Sequence, residues 1–178
     1  MTVLRLQNER NPTIAKDTAI TAYLIAPENT TGRHHCSNKK CLQTYNLDAQ
    51  VGESSACATA LLCGVKANFE TVGLDGGGRF EDCFSSYNSR VESLLSWAQQ
   101  EGKSTGIVTN TRVTHATPAA LFAHSPSRYW EDDSKVPANA RKSCKDIARQ
   151  LIEDEPGKHV NVRSSTNAQS TNKHSIIP

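Results

Sequence analysis

The stretch Val51–Gly64, "VGESSACATALLCG", sets two serines, a threonine and two cysteines into a short apolar run. Ser54 stands where a helix would start. Unpaired N–H groups and the positive dipole end of a helix suit an anion such as phosphate there. Ser54 is therefore either a nucleophile facing its own anion site or, with Ser55, an ordinary helix cap. Arg128, in "SPSRYWEDD", offers a fork that can grip two oxygens of a phosphate. It can equally pair with Glu131, Asp132 or Asp133 nearby. His115 and Thr117, in "TRVTHATPAA", are residue types found at or behind metal ions. Otherwise they read as a loop histidine and a helix-capping threonine.

Two weaker patterns stand beside these. "GESSA" is one residue short of the Gly-x-Ser-x-Gly elbow on which serine esterases carry their nucleophile, since Ala56 replaces the last glycine. An esterase would need an acid and then a histidine after Ser54. His115, His124, His159 and His174 are available, but no glycine-rich oxyanion loop precedes the serine. His34, His35, Cys36 and Cys41 include a Cys-x4-Cys spacing that zinc would accept, yet no second pair follows at finger spacing. Asn29-Thr30-Thr31 fits the N-glycosylation triplet.

The elements that must position these residues alternate in type. Residues 17–26 read as a short helix and residues 27–40 as loop. Residues 54–63 read as a helix ended by Gly64. Residues 84–103 read as a longer amphipathic helix, with Val91, Leu94, Leu95 and Ala98 at helical spacing and Gly102 as its stop. "STGIVTN" has the form of a buried strand. A helix is expected to begin at Pro118, another to span residues 137–154, and "HVNV" to form a strand. The alternation predicts an α/β layer arrangement with a mainly parallel central sheet and flanking helices. Loops at the carboxyl ends of such strands usually hold the ligand.

Composition narrows the field. The chain has 178 residues, 37% of them hydrophobic, and a net charge of +2. That size suits one domain, and that charge gives no reason to expect nucleic acid. The charge is unevenly spread: +3 over residues 1–41, −4 over 42–157 and +3 over 158–178. No apolar run is long enough to span a membrane, and "MTVLRLQNER" lacks a signal peptide's apolar stretch. After residue 162, "RSSTNAQSTNKHSIIP" reads as a disordered tail.

Three blocks taken together resemble one family. "TYNLDAQVGESSACATALLCGVKANFETVGL" closely resembles the segment around the catalytic serine of alkaline phosphatases. "GKSTGIVTNTRVTHATPAALFAHSPSRYWEDD" and "CKDIARQLIEDEPG" resemble the segments that follow it. The match runs from about Thr44 to Val162 and is most similar to animal enzymes, insect ones in particular. It divides the chain into a divergent segment 1–43, a core fragment 44–162 and a divergent tail 163–178.

The resemblance implies an α/β sandwich, usually a homodimer, secreted or held at the cell surface by a lipid anchor. It implies hydrolysis of phosphate monoesters through a phosphoserine intermediate, with two zinc ions and one magnesium. By position, Ser54 is implied as nucleophile and zinc ligand, and Thr117 as magnesium ligand with His115 in its second shell. Arg128 is implied as the grip on phosphate. Cys83 and Cys144 match a disulfide pair, which favours an oxidising compartment among those that six cysteines allow, and Cys63 matches a buried free cysteine.

The sequence also departs from the family. Glu53 stands where aspartate normally orients the arginine, and Gly52 where proline is usual. The family's early Gly-Asp-Gly-Met segment is not found in residues 1–43, where Asp17 is the nearest acid, and its later metal ligands would lie past Val162. The expectation is a central fragment with divergent ends, as from a truncated or mis-spliced transcript, and with impaired activity. The alternatives are a serine esterase using "GESSA" and a non-catalytic product that binds phosphate or a full-length partner.

Overall fold

A computed structural model describes residues 45–165 and two strand segments, residues 3–6 and 18–19. The elements follow in the order β1 (Val3–Leu6), β2 (Thr18–Ala19), α1 (Ser54–Cys63), α2 (Leu94–Gln100), β3 (Gly106–Thr109), α3 (Ala116–Ala119), α4 (Ile147–Glu153) and β4 (Val162–Ser165). The strands form one sheet in the order β2-β1-β3-β4. β3 and β4 are parallel, with Gly106 opposite Val162 and Thr109 opposite Ser165. β1 joins β3 antiparallel, and β2 joins β1 antiparallel. A parallel pair needs a long crossover, and the chain between β3 and β4 supplies it with α3 and α4. The architecture is α/β, as the alternation of elements predicts.

One apolar core joins these elements. Ala58, Leu62 and Cys63 of α1, Leu95 of α2, Ile107 of β3, Ala119–Ala123 around the end of α3, and Ile147 and Leu151 of α4 pack together. Small residues on α1 and α3 let the two helices pack directly. Gly64 ends α1 in the left-handed region at φ 77°, where its N–H still reaches Ala60 O at 3.1 Å. Gly73, at φ 62°, has no room for a side chain, because a Cβ would meet Ala123 O at 2.1 Å. That close approach lets residues 72 and 125 exchange paired backbone hydrogen bonds, each 2.9 Å.

A second, smaller cluster gathers Cys83, Trp130, Val136 and Cys144. Cys83 and Cys144, the pair the family resemblance implies, are joined by a disulfide with Cα atoms 5.9 Å apart. Cys63 is buried and free. Its thiol donates to Ala120 O at 3.4 Å, and burial pushes it up to about 12, so it packs as an inert apolar group.

Several elements differ from the sequence reading. Thr18–Ala19 is a strand rather than part of a helix, and the rest of residues 17–26 lies outside the described residues. Residues 84–103 do not form one helix. Phe84–Ser86 is a 3-10 turn, and α2 begins only after Ser93, whose hydroxyl accepts from Ser96 N. Serine competes for backbone partners, and here it caps a new helix instead of continuing an old one. The helix expected over 137–154 is restricted to Ile147–Glu153, capped by Asp146. α3 starts at Ala116, two residues before Pro118. β4 runs through Arg163, Ser164 and Ser165, into the segment read as tail, because pairing with β3 satisfies its backbone. From residue 166 onward the tail lies outside the described residues.

Candidate active site

α1 is capped by Glu53, not by Ser54 or Ser55. Glu53 has extended backbone at φ −111°, ψ 175°. Its carboxylate folds back over the first turn and accepts from Ser55 N and Ala56 N, each at 2.7 Å. The Ser55 hydroxyl donates to the same carboxylate at 2.7 Å. Glutamate is long enough to reach these donors, so the serines are released from capping. Ser55 is buried, while Ser54 is the first residue of α1 and is exposed.

The pairing of residues 72 and 125 brings a second segment to this helix start. It places Arg128 N against Glu70 O at 2.9 Å. Glu70 N in turn donates to Glu53 Oε1 at 3.0 Å. Arg128 Nη1 donates to Glu53 Oε2 at 2.8 Å, with both side chains largely shielded from solvent. The partner of Arg128 is thus Glu53, seventy-five residues away, and not the acids beside it in sequence. Two of those are engaged elsewhere: Glu131 by Arg112 and Thr114, and Asp132 by Ser134 and Lys135. Partial burial alone would raise the Glu53 carboxyl. The Ser55 hydroxyl and the N–H groups of Ala56, Ser55 and Glu70 outweigh that and hold it below its ordinary value.

His115 and Thr117 stand at the start of α3, which packs on α1. His115 precedes α3 and makes no side-chain cap, and Thr117 lies inside the helix, so neither plays the capping role the local pattern allows. His115 Nδ1 is buried with no hydrogen-bond partner among the described residues. Burial first, then the positive charges of Arg128 and Arg112, push the His115 imidazole below its usual range, with Glu131 opposing. These influences favour the neutral imidazole.

The remaining sequence candidates fall elsewhere. His124 is committed to Gly73 O at 2.8 Å through Nδ1, and His159 pairs with Glu155 at 3.5 Å. Asp17, Asn29, His34, His35, Cys36, Cys41 and His174 lie outside the described residues. Two residues at the site went unnoticed in the sequence, Glu70 and Tyr129. The Tyr129 hydroxyl donates to Glu70 Oε1. No local pattern links them, because the contact spans 59 positions.

The donor set bears on the metals the resemblance implies. Ser54, Thr117 and His115 offer two hydroxyls and one imidazole. Among the described residues, no group of three or more His, Cys, Asp or Glu side chains is placed to hold a metal ion. Zinc and magnesium need more nitrogen and carboxylate donors than this. The described residues do not complete a site for either.

The alkaline phosphatase family profile matches residues 21–163. The tissue-nonspecific alkaline phosphatase of Gallus gallus is 52% identical over 115 residues, which are 64% of this chain and 22% of that protein. Alkaline phosphatase 4 of Drosophila melanogaster is 46% identical over 125 residues, 70% of this chain and 20% of that protein. The chain thus spans about a fifth of the length of these curated relatives. Among solved structures, the alkaline phosphatase from the Antarctic bacterium TAB5 is 24% identical, with a TM-score of 0.48 over 68% of this chain and 28% of that one.

Proposed function

Since the chain belongs to the alkaline phosphatase family, we propose that it carries the phosphate-gripping and nucleophile-bearing part of a phosphate monoester hydrolase. The observation that supports this best is the Glu53–Arg128 contact at the start of α1. Among the described residues Glu53 takes one guanidinium nitrogen, and neither Nε nor Nη2 of Arg128 has a hydrogen-bond partner; in this reading those two nitrogens hold phosphate oxygens for Ser54, the neighbour of Glu53 in sequence. In phosphoryl transfer, positioning and charge stabilisation carry most of the catalysis. Arg128 holds the phosphate, and Ser54 Oγ attacks phosphorus. The ester P–O bond breaks, and the alcohol leaves with a proton. Water then attacks the phosphoserine, returning serine and inorganic phosphate.

A serine hydroxyl needs activation for this attack. Zinc, as the family resemblance implies it, supplies such activation when bound. The described residues do not complete its site, so the isolated 178-residue chain is expected to bind phosphate and turn over slowly or not at all. Thr117 and His115 are read as contributors to a magnesium site whose carboxylates come from elsewhere. Phosphate monoesters as substrates, a homodimer as assembly, and an extracellular or lipid-anchored location follow the same family reading.

The test combines binding and turnover. Inorganic phosphate should bind the chain measurably by titration calorimetry. p-Nitrophenyl phosphate at alkaline pH with excess zinc and magnesium should give little hydrolysis beyond a Ser54→Ala control. p-Nitrophenyl acetate should give none, and Ser54-dependent hydrolysis of it would favour the esterase reading. Absence of phosphate binding would remove the proposal.

A further inference from the structure

We propose that Glu70 and Tyr129 are positioning residues for Arg128, closing a ring of contacts that aims its guanidinium. The inference rests on the reading of Arg128 as the phosphate grip. Starting at Glu53, the ring runs through the Arg128 side chain at 2.8 Å, along the backbone to Tyr129, through its hydroxyl to Glu70 Oε1, and back from Glu70 N to Glu53 Oε1 at 3.0 Å. A cross-brace from Arg128 N to Glu70 O, 2.9 Å, divides it. The guanidinium carbon lies 5.8 Å from the centre of the Tyr129 ring, within the range of a cation–π attraction. Phe80 meets the same ring edge-on at 6.2 Å, so the ring is held from its other contacts as well.

Glu70 sits at the joint of this ring in an unusual backbone state. Its φ is 60°, in the left-handed region that a residue with a side chain enters only at an energetic cost. That geometry turns its N–H toward Glu53 while its carbonyl accepts from Arg128. The side-chain bond to Tyr129 supplies a force that holds the joint there. Without it, the guanidinium keeps, among the described residues, its hydrogen bond to Glu53 and the face of the Tyr129 ring, but the ring loses its tie to Glu70. The hydrogen bond to the Glu70 carboxylate also holds the Tyr129 phenol above its ordinary value.

The test separates aim from folding. In the full chain, the Arg128 side-chain 15Nε–1Hε heteronuclear NOE reports the order of the guanidinium, and titration with inorganic phosphate reports its use. Tyr129→Phe keeps the ring and removes the hydroxyl. Glu70→Gln keeps an acceptor oxygen, and Glu70→Ala removes it. Tyr129→Phe and Glu70→Ala should lower the NOE and weaken phosphate binding about three- to tenfold, with cooperative thermal unfolding retained. Glu70→Gln should restore most of both. An NOE unchanged in Tyr129→Phe and Glu70→Ala overturns the inference. If wild type binds no phosphate, the reading of Arg128 fails, while the NOE still decides the clamp.

Discussion

Two arginine–glutamate pairs differ in how the fork is used. Arg112 meets Glu131 with both prongs, Nε to Oε2 and Nη2 to Oε1, each at 2.8 Å. Thr114 and Lys135 add to the same carboxylate. Arg128 gives Glu53 a single nitrogen, and Glu53 spends its remaining capacity on helix α1 and on Glu70 N. The first pair is closed: its guanidinium is consumed by one planar partner. The second is open: among the described residues, the glutamate is saturated while the arginine keeps donors in reserve. Identical residue types thus give a structural tie in one place and a candidate anion grip in the other.

The comparison is tested first by loosening the cluster that holds the segment carrying Arg128 and Glu131. Trp130, which lies between Arg128 and Glu131 in sequence, packs in the cluster with Cys83 and Cys144. The bridge closes a separation of 61 residues, so a Cys83→Ser, Cys144→Ser double variant should lose about 4 kcal/mol in the chain-entropy view. Urea unfolding reads this directly, and an unchanged midpoint would contradict it. Next, Arg128→Ala should weaken inorganic phosphate binding tenfold or more, about 1.4 kcal/mol, while Arg112→Ala leaves it unchanged. Equal losses in both would erase the distinction between open and closed forks.

Glu53→Gln comes third. It should cost about 1 kcal/mol as a weakened cap, and it should change the acid limb of stability. The folded Glu53 carboxyl lies below its unfolded value. Its contribution is therefore fully present above the unfolded pKa, about 4.3, and is lost as pH falls through the lower folded value. The Glu131 carboxyl is also lowered, its burial being outweighed by Arg112, Thr114 and Lys135, and it has the same sign. Thermal unfolding between pH 7 and pH 3 should show a shallower acid loss in Glu53→Gln, and an unaltered slope would refute the assignment. The smallest effect is expected for the stability of Arg112→Ala, under about 1 kcal/mol, because Arg112 is 41% exposed and its pair is screened.

The elements that carry the candidate site were partly legible in local pattern. Apolar and small residues between Ser54 and Gly64 demand a helix with those ends, and the observed bounds are Ser54–Cys63. The short apolar run before Thr109 gives β3. Where local pattern failed, polar residues had more than one use. Ser93 could continue a helix or start one, and its hydroxyl, which also bonds Leu121 O, settles it as a cap. Residues 137–144 carry helix-forming types, yet Cys144 is tied to Cys83 and the regular helix waits for Asp146.

By itself the sequence determined the α/β class, the helix that begins at Ser54 and, through resemblance, the family to which the chain belongs. These rest on periodicity, capping chemistry and motif order, all of which act over a few residues or survive as text. Only the tertiary structure decided that Glu53 caps the helix and also takes Arg128, leaving Glu131 to Arg112. Only there do Glu70 and Tyr129 meet. A carboxylate does not choose its partner by sequence distance. It goes to whichever donors the packed backbone places within about 3 Å, and here the antiparallel contact of Val72 with Ser125 made that choice.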